Sequence, residues 1–341
     1  MKIIKRVYSL VVVIAILFSI SVYASSAALV YNNFSFEINT DRNTATVVGY
    51  SGSSEDTDIV IPGSVFGYTV DAIDDYVFRN NTIIKSVNIP TTIKSVGNMA
   101  FAGCTSLEQI AFPVYINSVG NSVCQNCTSL KSVIFNCNVD TIPNNSFYGC
   151  SSLETVSIRY GLDGIGDNAF RDCTSLSVFP YLSTISKIGD YAFSNTALEV
   201  VELNHNVSVV GNGTFENCSN LSRVSMTDSI TKIGNDAFKN TSSDLKVSSD
   251  SLLVKEYCQA NSILFYLDIF YGDVNNDGKV NVKDVTYLQK HLAGFEDFKI
   301  TDSSRAYYCA DVNGNGNLEI TDCTTIMKYA VRAIDKFPVE Q

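Results

Sequence analysis

The sequence has no tryptophan, and only two of its 341 residues are histidine. General acid–base catalysis usually needs a histidine or a pair of carboxylates in a pocket, whereas His205 and His291 each stand alone. The G-x-S-x-G, H-E-x-x-H and phosphate-loop patterns are also absent. Without tryptophan the chain lacks the stacking platform common in sugar-binding sites, although tyrosine could replace it. We therefore predict a non-catalytic protein, with a glycoside hydrolase that uses two carboxylates as the alternative.

Positive charge is scarce as well. The chain has 24 lysines and arginines against 35 aspartates and glutamates, which gives a net charge of −11. An acidic surface repels the phosphate backbone, so nucleic acid is excluded as a partner class. The same balance is typical of a soluble secreted protein in a calcium-rich exterior.

Only one long apolar run occurs, over residues 7–20. It is shorter than the roughly 20 residues that cross a bilayer. Lys2, Lys5 and Arg6 precede the run and small residues follow it near Ala24, as in a secretory signal peptide. We expect cleavage after residue 24, secretion, and no membrane span in the remaining chain, with an uncleaved anchor as the alternative.

A repeat of about 23 residues fills the middle of the chain. Phenylalanine recurs at one place of the repeat, and cysteine fills that place once: Phe78, Phe101, Cys124, Phe147, Phe170, Phe193, Phe215 and Phe238. The most regular units continue as F-x-x-C-(T/S)-S-L-x-x-(V/I)-x-(I/F), then a second apolar pair and usually a glycine such as Gly97 or Gly120. A fixed period in the twenties predicts a solenoid with one short parallel strand per turn. We expect the glycine to permit the tight corner.

This pattern resembles the BspA-like leucine-rich repeat family of bacterial surface proteins. The resemblance covers about residues 30–268 and implies a parallel-β solenoid of about eight repeats. Alternating apolar and polar residues over 31–61 predict a β-hairpin that caps the first repeat. A helix predicted over 251–259 and a strand predicted over 263–267 form the cap at the other end.

Ten cysteines in a secreted chain would usually indicate disulfides. Five of them, however, occupy the same place in successive repeats: Cys104, Cys127, Cys150, Cys173 and Cys218. This spacing predicts a ladder of small buried side chains. Cys124 and Cys127 form a C-x-x-C pattern, but Cys124 stands at the phenylalanine place, which favours a core residue over a redox or zinc site. For Cys309 and Cys323 we expect buried thiols, with a disulfide as the alternative.

The residues that alternate with the buried ones in each repeat strand should point outward. Most of them are small and uncharged, with an apolar middle at Ile134, Val178, Leu182 and Val200. Such a face suits an extended protein or glycan ligand of unknown identity. A solvated face without a ligand is the alternative.

Two twelve-residue stretches near the C-terminus place oxygen-bearing side chains at the first, third, fifth and twelfth positions. The first stretch, including the seventh residue with its main-chain carbonyl, offers Asp273, Asn275, Asp277, Lys279 and Asp284. The second offers Asp311, Asn313, Asn315, Asn317 and Asp322. Ca²⁺ takes six to eight oxygens, and a loop of twelve residues with glycine at its sixth position can wrap it. We predict one Ca²⁺ in each loop, bound more weakly in the second because Asn315 replaces an acid.

Apolar residues recur at helical spacing after each loop. Its apolar positions are Val285, Leu288 and Leu292 after the first loop, and Cys323, Ile326 and Ala330 after the second. An ordinary EF-hand would add a helix before each loop and a glutamate at the twelfth position. Both loops end in aspartate instead, and the first follows a predicted strand. The other alternative is a turn rich in Asn and Asp that binds no metal.

These departures resemble the type I dockerin, a calcium-folded module that docks on cohesin domains of a scaffoldin. The resemblance covers residues 272–334 and implies eight contact positions for cohesin: Val282, Lys283, Gln289, Lys290, Ile320, Thr321, Met327 and Lys328. The two copies could bind in two orientations. Because their contact residues differ, we expect one orientation to dominate.

The whole chain is therefore predicted to have a mixed fold. A signal peptide (1–24) precedes a leucine-rich repeat solenoid with caps (25–268) and a small all-α dockerin (269–341). We expect a non-catalytic secreted interaction protein, docked through calcium and cohesin into a cellulosome-like polysaccharide-degrading complex at the cell surface. The alternative is a hydrolytic or polysaccharide-binding subunit of the same complex, acting in polysaccharide catabolism.

Overall fold

The computed structural model describes residues 28–137, 139–179, 185–267, 271–275, 279–301, 305–332, 334 and 336–338. The predicted signal peptide lies outside these ranges. The chain divides into two compact units, residues 1–180 and 181–341. Its fold is the predicted one, a parallel β-solenoid of stacked coils with helices towards the C-terminus.

The first unit consists of short strands. They are β1 (Leu29–Tyr31), β2 (Phe34–Asn39), β3 (Thr44–Tyr50), β4 (Asp58–Val60), β5 (Ser64–Val65), β6 (Tyr68–Ile73), β7 (Ser86–Asn88), β8 (Ser95–Val96), β9 (Gln109–Phe112), β10 (Ser118–Val119), β11 (Ser132–Phe135), β12 (Thr141–Ile142), β13 (Thr155–Ile158) and β14 (Gly164–Ile165).

Strand pairing in this unit changes from antiparallel to parallel along the chain. Strands β1, β2 and β3 pair antiparallel, as predicted for the cap, and β3 then pairs parallel with β6, followed by β8 and β10. A second parallel sheet has the order β4, β7, β9, β11, β13, and β12 pairs parallel with β14. The hairpin therefore gives the first parallel strand a partner on the side that faces away from the repeats.

The second unit begins with β15 (Lys187–Ile188), β16 (Val200–Glu202), β17 (Val209–Val210), β18 (Arg223–Ser225), β19 (Lys232–Ile233) and β20 (Lys246–Ser249). Helix α1 (Leu252–Ala260) then leads to β21 (Leu264–Leu267), which pairs parallel with β20. Helices α2 (Val282–Leu292), α3 (Arg305–Ala310) and α4 (Ile320–Ala330) follow, with a 3₁₀ turn at Glu296–Phe298. The predicted helix and strand of the C-terminal cap are both present, shifted by one residue at their first positions.

The register between neighbouring strands equals the repeat length. Ser132 pairs with Gln109 and Phe135 with Phe112, so equivalent residues lie side by side. The repeated phenylalanines stack for the same reason. Ring centroids are 4.9 Å apart for Phe78 and Phe101, and 5.4 Å apart for Phe215 and Phe238. These distances are close to the spacing of hydrogen-bonded strands, about 4.8 Å, so the strands dictate the stacking of the core.

The repeat cysteines form the predicted ladder. All ten cysteines are buried free thiols, Cys309 and Cys323 among them. Each repeat cysteine donates its S–H to a main-chain carbonyl of the preceding coil. Examples are Cys104 to Phe78 at 3.1 Å and Cys127 to Phe101 at 3.1 Å. A small side chain with a weak donor therefore satisfies a buried carbonyl and also fits the narrow interior.

Left-handed backbone recurs at two places in every repeat, two residues before and two residues after the repeated phenylalanine. The second place is always Asn, Asp or Gly, the residues that adopt this conformation at least cost: Asn80, Gly103, Asn126, Gly149, Asp172, Asn195, Asn217 and Asn240. The first place also accepts larger residues, such as Met99 at φ 52° and Tyr191 at φ 55°. These two places are the corners of the coil.

The glycine predicted to form the corner has a different role. Neither Gly97 nor Gly120 is among the residues with positive φ. Instead, a Cβ on Gly120 would press on the backbone nitrogen of Asn98 and lie 2.5 Å from the carbonyl carbon of Gly97. The expectation of a tight corner was wrong, and glycine is needed because two successive coils approach each other closely here. Beside this contact the Asn98 side-chain oxygen accepts the N–H of Asn121 at 2.9 Å, which also links successive coils.

We predict that Gly120→Ala lowers the free energy of unfolding by about 2–3 kcal/mol, because the new methyl group must push two coils apart. Denaturant unfolding of the purified protein measures this. Gly63→Ala is the matched control, since its Cβ would meet nothing nearer than Thr92 Oγ1, at an ordinary 3.5 Å. Equal stability of the two variants would contradict the close-approach explanation.

Candidate calcium-binding and docking site

Helices α2 and α4 begin in the same way. At the start of α2 the Asn281 side chain accepts the N–H of Lys283 at 2.9 Å, and the N–H of Asn281 donates to Asp284 Oδ2 at 2.9 Å. At the start of α4 the N–H of Glu319 donates to Asp322 Oδ2 at 3.0 Å. Both twelfth-position carboxylates therefore end a loop and cap the helix that follows.

The two helices pack on one small core. Its buried members are Val274, Val285, Leu288, Ile300, Ala310, Val312, Cys323, Ile326 and Phe337. This includes most of the apolar positions predicted from helical spacing. Leu292 was predicted to belong to the core, but it is 38 % exposed because α2 ends at this residue.

In the first loop, the predicted ligands at positions one and twelve are buried. Asp273 is 1 % exposed and Asp284 is fully buried. The carboxylate of Asp284 turns back towards the third position, where its Oδ1 accepts the N–H of Asn275 at 3.1 Å. Lys279, at the seventh position, has an exposed side chain. Asp277 lies outside the residues that the structure describes.

In the second loop, the carboxylates at positions one and twelve both accept hydrogen bonds from other residues of the loop. Asp311 Oδ2 accepts the N–H of Gly316 at 2.9 Å. Asp322 is fully buried, and its Oδ1 accepts from Asn313 Nδ2 at 2.9 Å. Gly316 has φ +75°, a conformation that favours glycine. The turn that the sixth position must make is therefore present.

The amide side chains of the second loop follow the same turn. Asn313 Oδ1 accepts the N–H of Asn315 at 3.0 Å, and Asn315 Oδ1 accepts the N–H of Asn317 at 2.8 Å. Their side-chain oxygens consequently face the inside of the loop. Hydrogen bonds within this one loop involve all five residues that were predicted as ligands: Asp311, Asn313, Asn315, Asn317 and Asp322.

Glu319, at the ninth position of the second loop, did not emerge from the sequence analysis. Its Oε1 accepts from Asn315 Nδ2 and from Thr321 Oγ1, both at 2.8 Å. The loop therefore contains a third carboxylate beside Asp311 and Asp322. A comparison of the two loops could have found it, because the ninth residue is acidic in the second loop and is the neutral Asn281 in the first.

The chemistry of these donors fits Ca²⁺. Burial raises the pKa of the Asp322 carboxyl, and the charge of Asp311 raises it further, against a lowering by the N–H of Glu319. A cation would stabilise such a buried carboxylate beside a second acid. Among the described residues no group of three or more His, Cys, Asp or Glu side chains gathers around one point. The loops instead mix carboxylate, amide and main-chain oxygens, which are the hard donors that Ca²⁺ prefers over the nitrogen and sulfur of transition-metal sites.

Phe337 closes the module near the end of the chain. It is 1 % exposed and stacks on Tyr329 with ring centroids 4.4 Å apart. A Cβ on Gly272 would lie 2.7 Å from the Phe337 ring. The first residues of the module therefore pack against its last ones, and the N–H of Gly272 also donates to the Cys309 carbonyl at 2.7 Å.

The eight predicted cohesin contacts all lie on α2 and α4. Four of them line the same groove: Gln289, Ile320, Met327 and Lys328. This shallow groove between α2 and α4 is lined by Val285, Gln289, Ile320, Cys323, Thr324, Met327, Lys328 and Val331. Val282 and Ile320 are apolar, yet they are 55 % and 63 % exposed. Lys283 and Thr321 are also exposed, and the Lys290 ammonium lies over the Phe298 ring at 4.2 Å.

The outward face of the repeats can be described for each unit by itself. In the first unit, a groove is lined by Ser86, Val87, Asn88, Gln109, Ile110, Ala111 and Ile134. Val178 is 69 % exposed, and Val200 of the second unit is 37 % exposed. Leu182 lies outside the described residues. The groove of the first unit is uncharged and partly apolar, whereas the second unit places the exposed charged residues Glu202, Arg223 and Lys246 on its strands.

The fold and the paired loops define a class of protein, a leucine-rich repeat solenoid with a calcium-binding docking module. The BspA-type leucine-rich repeat profile matches residues 71–188 and 141–263 in six copies. These ranges cover more than half of the chain, which therefore belongs to the BspA-type leucine-rich repeat family. The dockerin type I profile matches residues 271–330. Type I dockerins bind calcium and dock on cohesin, both families are non-catalytic, and their members are typically extracellular or at the cell surface.

Solved structures with similarity to the chain are leucine-rich repeat proteins. One from Bacteroides ovatus ATCC 8483 is 21 % identical, with a TM-score of 0.45, over 70 % of this chain and 76 % of the other. A leucine-rich cell surface protein from Faecalibacterium prausnitzii A2-165 is 23 % identical, with a TM-score of 0.44, over 67 % and 77 %. The TM-scores are below 0.5, so the fold assignment rests on the family profile and the structure.

A comparison with curated proteins finds no match. None of the helices in the described ranges has both the length and the hydrophobicity needed to cross a bilayer.

We predict that Phe337→Ala destabilises the calcium-loaded module by about 3–5 kcal/mol, because it removes a buried ring that joins both ends of the module. Hydrogen exchange of α2 and α4 in the full chain with calcium measures the loss. The control is Phe295→Ala, at a ring that is 58 % exposed. Comparable exchange rates in the two variants would show that the packing of Phe337 contributes little.

Proposed function

We propose that this chain is a secreted, non-catalytic interaction protein. Its dockerin binds two Ca²⁺ ions and a scaffoldin cohesin, which joins the protein to a cellulosome-like polysaccharide-degrading complex at the cell surface. The repeats bind a protein or glycan on their outward face. The observation that carries the docking function is the paired geometry of Asp284 and Asp322, each buried and turned back towards the third residue of its own loop.

The proposed ligands are those of the two loops. The first ion is held by Asp273, Asn275, Asp277, Asp284 and the carbonyl of Lys279, with Asp277 included on loop spacing alone. The second is held by Asp311, Asn313, Asn315, Asp322 and the carbonyl of Asn317. The proposed boundaries are a signal peptide over 1–24, the repeats and their caps over 25–268, and the dockerin over 269–341.

The two histidines support a non-catalytic protein over a hydrolytic subunit. His291 Nδ1 accepts the N–H of Ile300 at 3.1 Å, so this ring ties α2 to the segment that follows it. His205 is exposed next to a turn of the repeats.

The groove lined by Ala111 and Ile134 contains no carboxylate. A second open groove holds Asp58 and Glu108, but the Ser86 hydroxyl donates to Asp58 and lowers its pKa, and Lys131 pairs with Glu108 at 3.8 Å. A glycosidase acid needs a raised pKa instead. Binding of the full chain to an array of glycans and proteins tests the role of the repeats.

We predict that the full chain is captured by immobilised type I cohesin in millimolar calcium and released by EDTA, because the loops fold around the ion. Asp322→Asn should weaken capture at least tenfold by removing a buried ligand charge. Asp297→Asn, an exposed change of equal charge in the same module, is the control and should bind like the parent. Capture that is indifferent to EDTA would refute calcium-dependent docking.

We also predict that one docking orientation dominates. Replacing Val282 and Lys283 by alanine, or replacing Ile320 and Thr321 by alanine, should then have unequal effects. We expect one double variant to lose at least tenfold in cohesin affinity and the other less than threefold. The reason is that the two pairs differ in charge, and the Thr321 hydroxyl is also engaged with Glu319. Isothermal titration with one cohesin measures both, and equal losses would indicate two equivalent orientations.

A further inference from the structure

The two calcium loops differ in where their acids lie. In the first loop the acids occupy positions one, five and twelve, and the ninth residue is Asn281. In the second, position five is Asn315 and position nine is Glu319. A count restricted to positions one, three, five and twelve predicted weaker binding in the second loop, although position nine also contributes to such loops, often through water. With the ninth position included, both loops contain three acids.

The structure connects these two changes directly. Glu319 Oε1 accepts from Asn315 Nδ2 at 2.8 Å. The acid at position nine therefore contacts position five, where the second loop has asparagine instead of aspartate. The Thr321 hydroxyl donates to the same oxygen at 2.8 Å and holds the carboxylate from the other side. The N–H of Glu319 donates to Asp322 Oδ2 at 3.0 Å, which fixes the main chain from which the Glu319 side chain extends.

The orientation of the Asn315 amide follows from these contacts. Its nitrogen points to Glu319, and its oxygen accepts the N–H of Asn317 at 2.8 Å. Rotating the amide would place its oxygen against the Glu319 carboxylate and its nitrogen against an N–H, and both contacts would be repulsive. Glu319 therefore keeps the Asn315 oxygen turned towards the main-chain N–H groups of the loop, as the Asn313 oxygen is.

We propose that Glu319 is part of the second calcium site and supplies the charge that Asn315 lacks. Affinity in oxygen-lined loops rises with the number of ligand charges and with the rigidity of the site. Glu319 contributes to both, because it adds a negative charge beside position five and fixes the amide there. The second loop then binds Ca²⁺ about as well as the first, contrary to the expectation from the sequence. This inference rests on the proposed calcium-dependent docking function.

The test is isothermal calcium titration of the full chain, together with far-ultraviolet circular dichroism. We expect the parent to bind two ions. Glu319→Gln should weaken one of the two sites about tenfold, which corresponds to about 1.4 kcal/mol. Glutamine retains an oxygen for the Asn315 and Thr321 contacts, so the loss reports the charge rather than a broken hydrogen bond. Glu296→Gln, an exposed change in the 3₁₀ turn, is the matched control and should stay within twofold.

A second substitution tests whether Glu319 replaces the missing acid. Asn315→Asp should restore most of the affinity lost in Glu319→Gln, but improve the parent much less. Equal gains in both backgrounds would show that the two positions act independently and would overturn the inference. Two tight sites that are unchanged by Glu319→Gln would also overturn it, while leaving the proposed docking function intact. A parent that binds no calcium would refute both.

Discussion

The repeats depend on one constraint, the short distance at which parallel strands of successive coils hydrogen-bond. Every residue in a coil lies about 4.8 Å from its equivalent in the next coil, so each buried position must tolerate a copy of itself as neighbour. Flat rings satisfy this by stacking, as Phe193 and Phe215 do at an interplanar angle of 1°. Cysteine satisfies it with a small side chain, and Gly120 satisfies it by having none.

The same constraint determines where polar groups can be buried. A carbonyl at the core side of a corner cannot reach water, and the thiol of the next coil reaches it instead, as Cys150 reaches the carbonyl of Cys124 at 3.1 Å. On the outer side, Asn144 Oδ1 accepts the N–H of Asp167 at 2.8 Å. One asparagine or aspartate per coil thus replaces the strand hydrogen bonds where the chain turns away from its neighbour, Asp75 and Asp190 being the acidic examples.

These observations separate what the sequence predicts well from what it does not. Periodicity predicted the solenoid and its core residues, because burial repeats along the chain. It did not predict the role of Gly97, since a glycine needed for close approach and one needed for positive φ look alike in sequence. Tyr191 shows the converse, a left-handed corner at a residue that gives no warning of it. Phe337 lies outside any repeat, and Glu319 differs from Asn281, its equivalent in the first loop, so only their contacts reveal what they do.

The two modules obtain their stability in different ways, which bears on how docking can be controlled. A coil of the solenoid buries its residues against its neighbours, and its polar groups are satisfied by the chain itself. The dockerin has a core of only a few side chains, and it buries the carboxylates of Asp273, Asp284 and Asp322 beside that core. Buried carboxylates are costly unless a cation neutralises them, and a small core supplies little energy to offset that cost. The buried polar residues described in the repeats are serines and threonines, which carry no charge. Calcium bound in the proposed loops would therefore stabilise the docking module far more than the repeats.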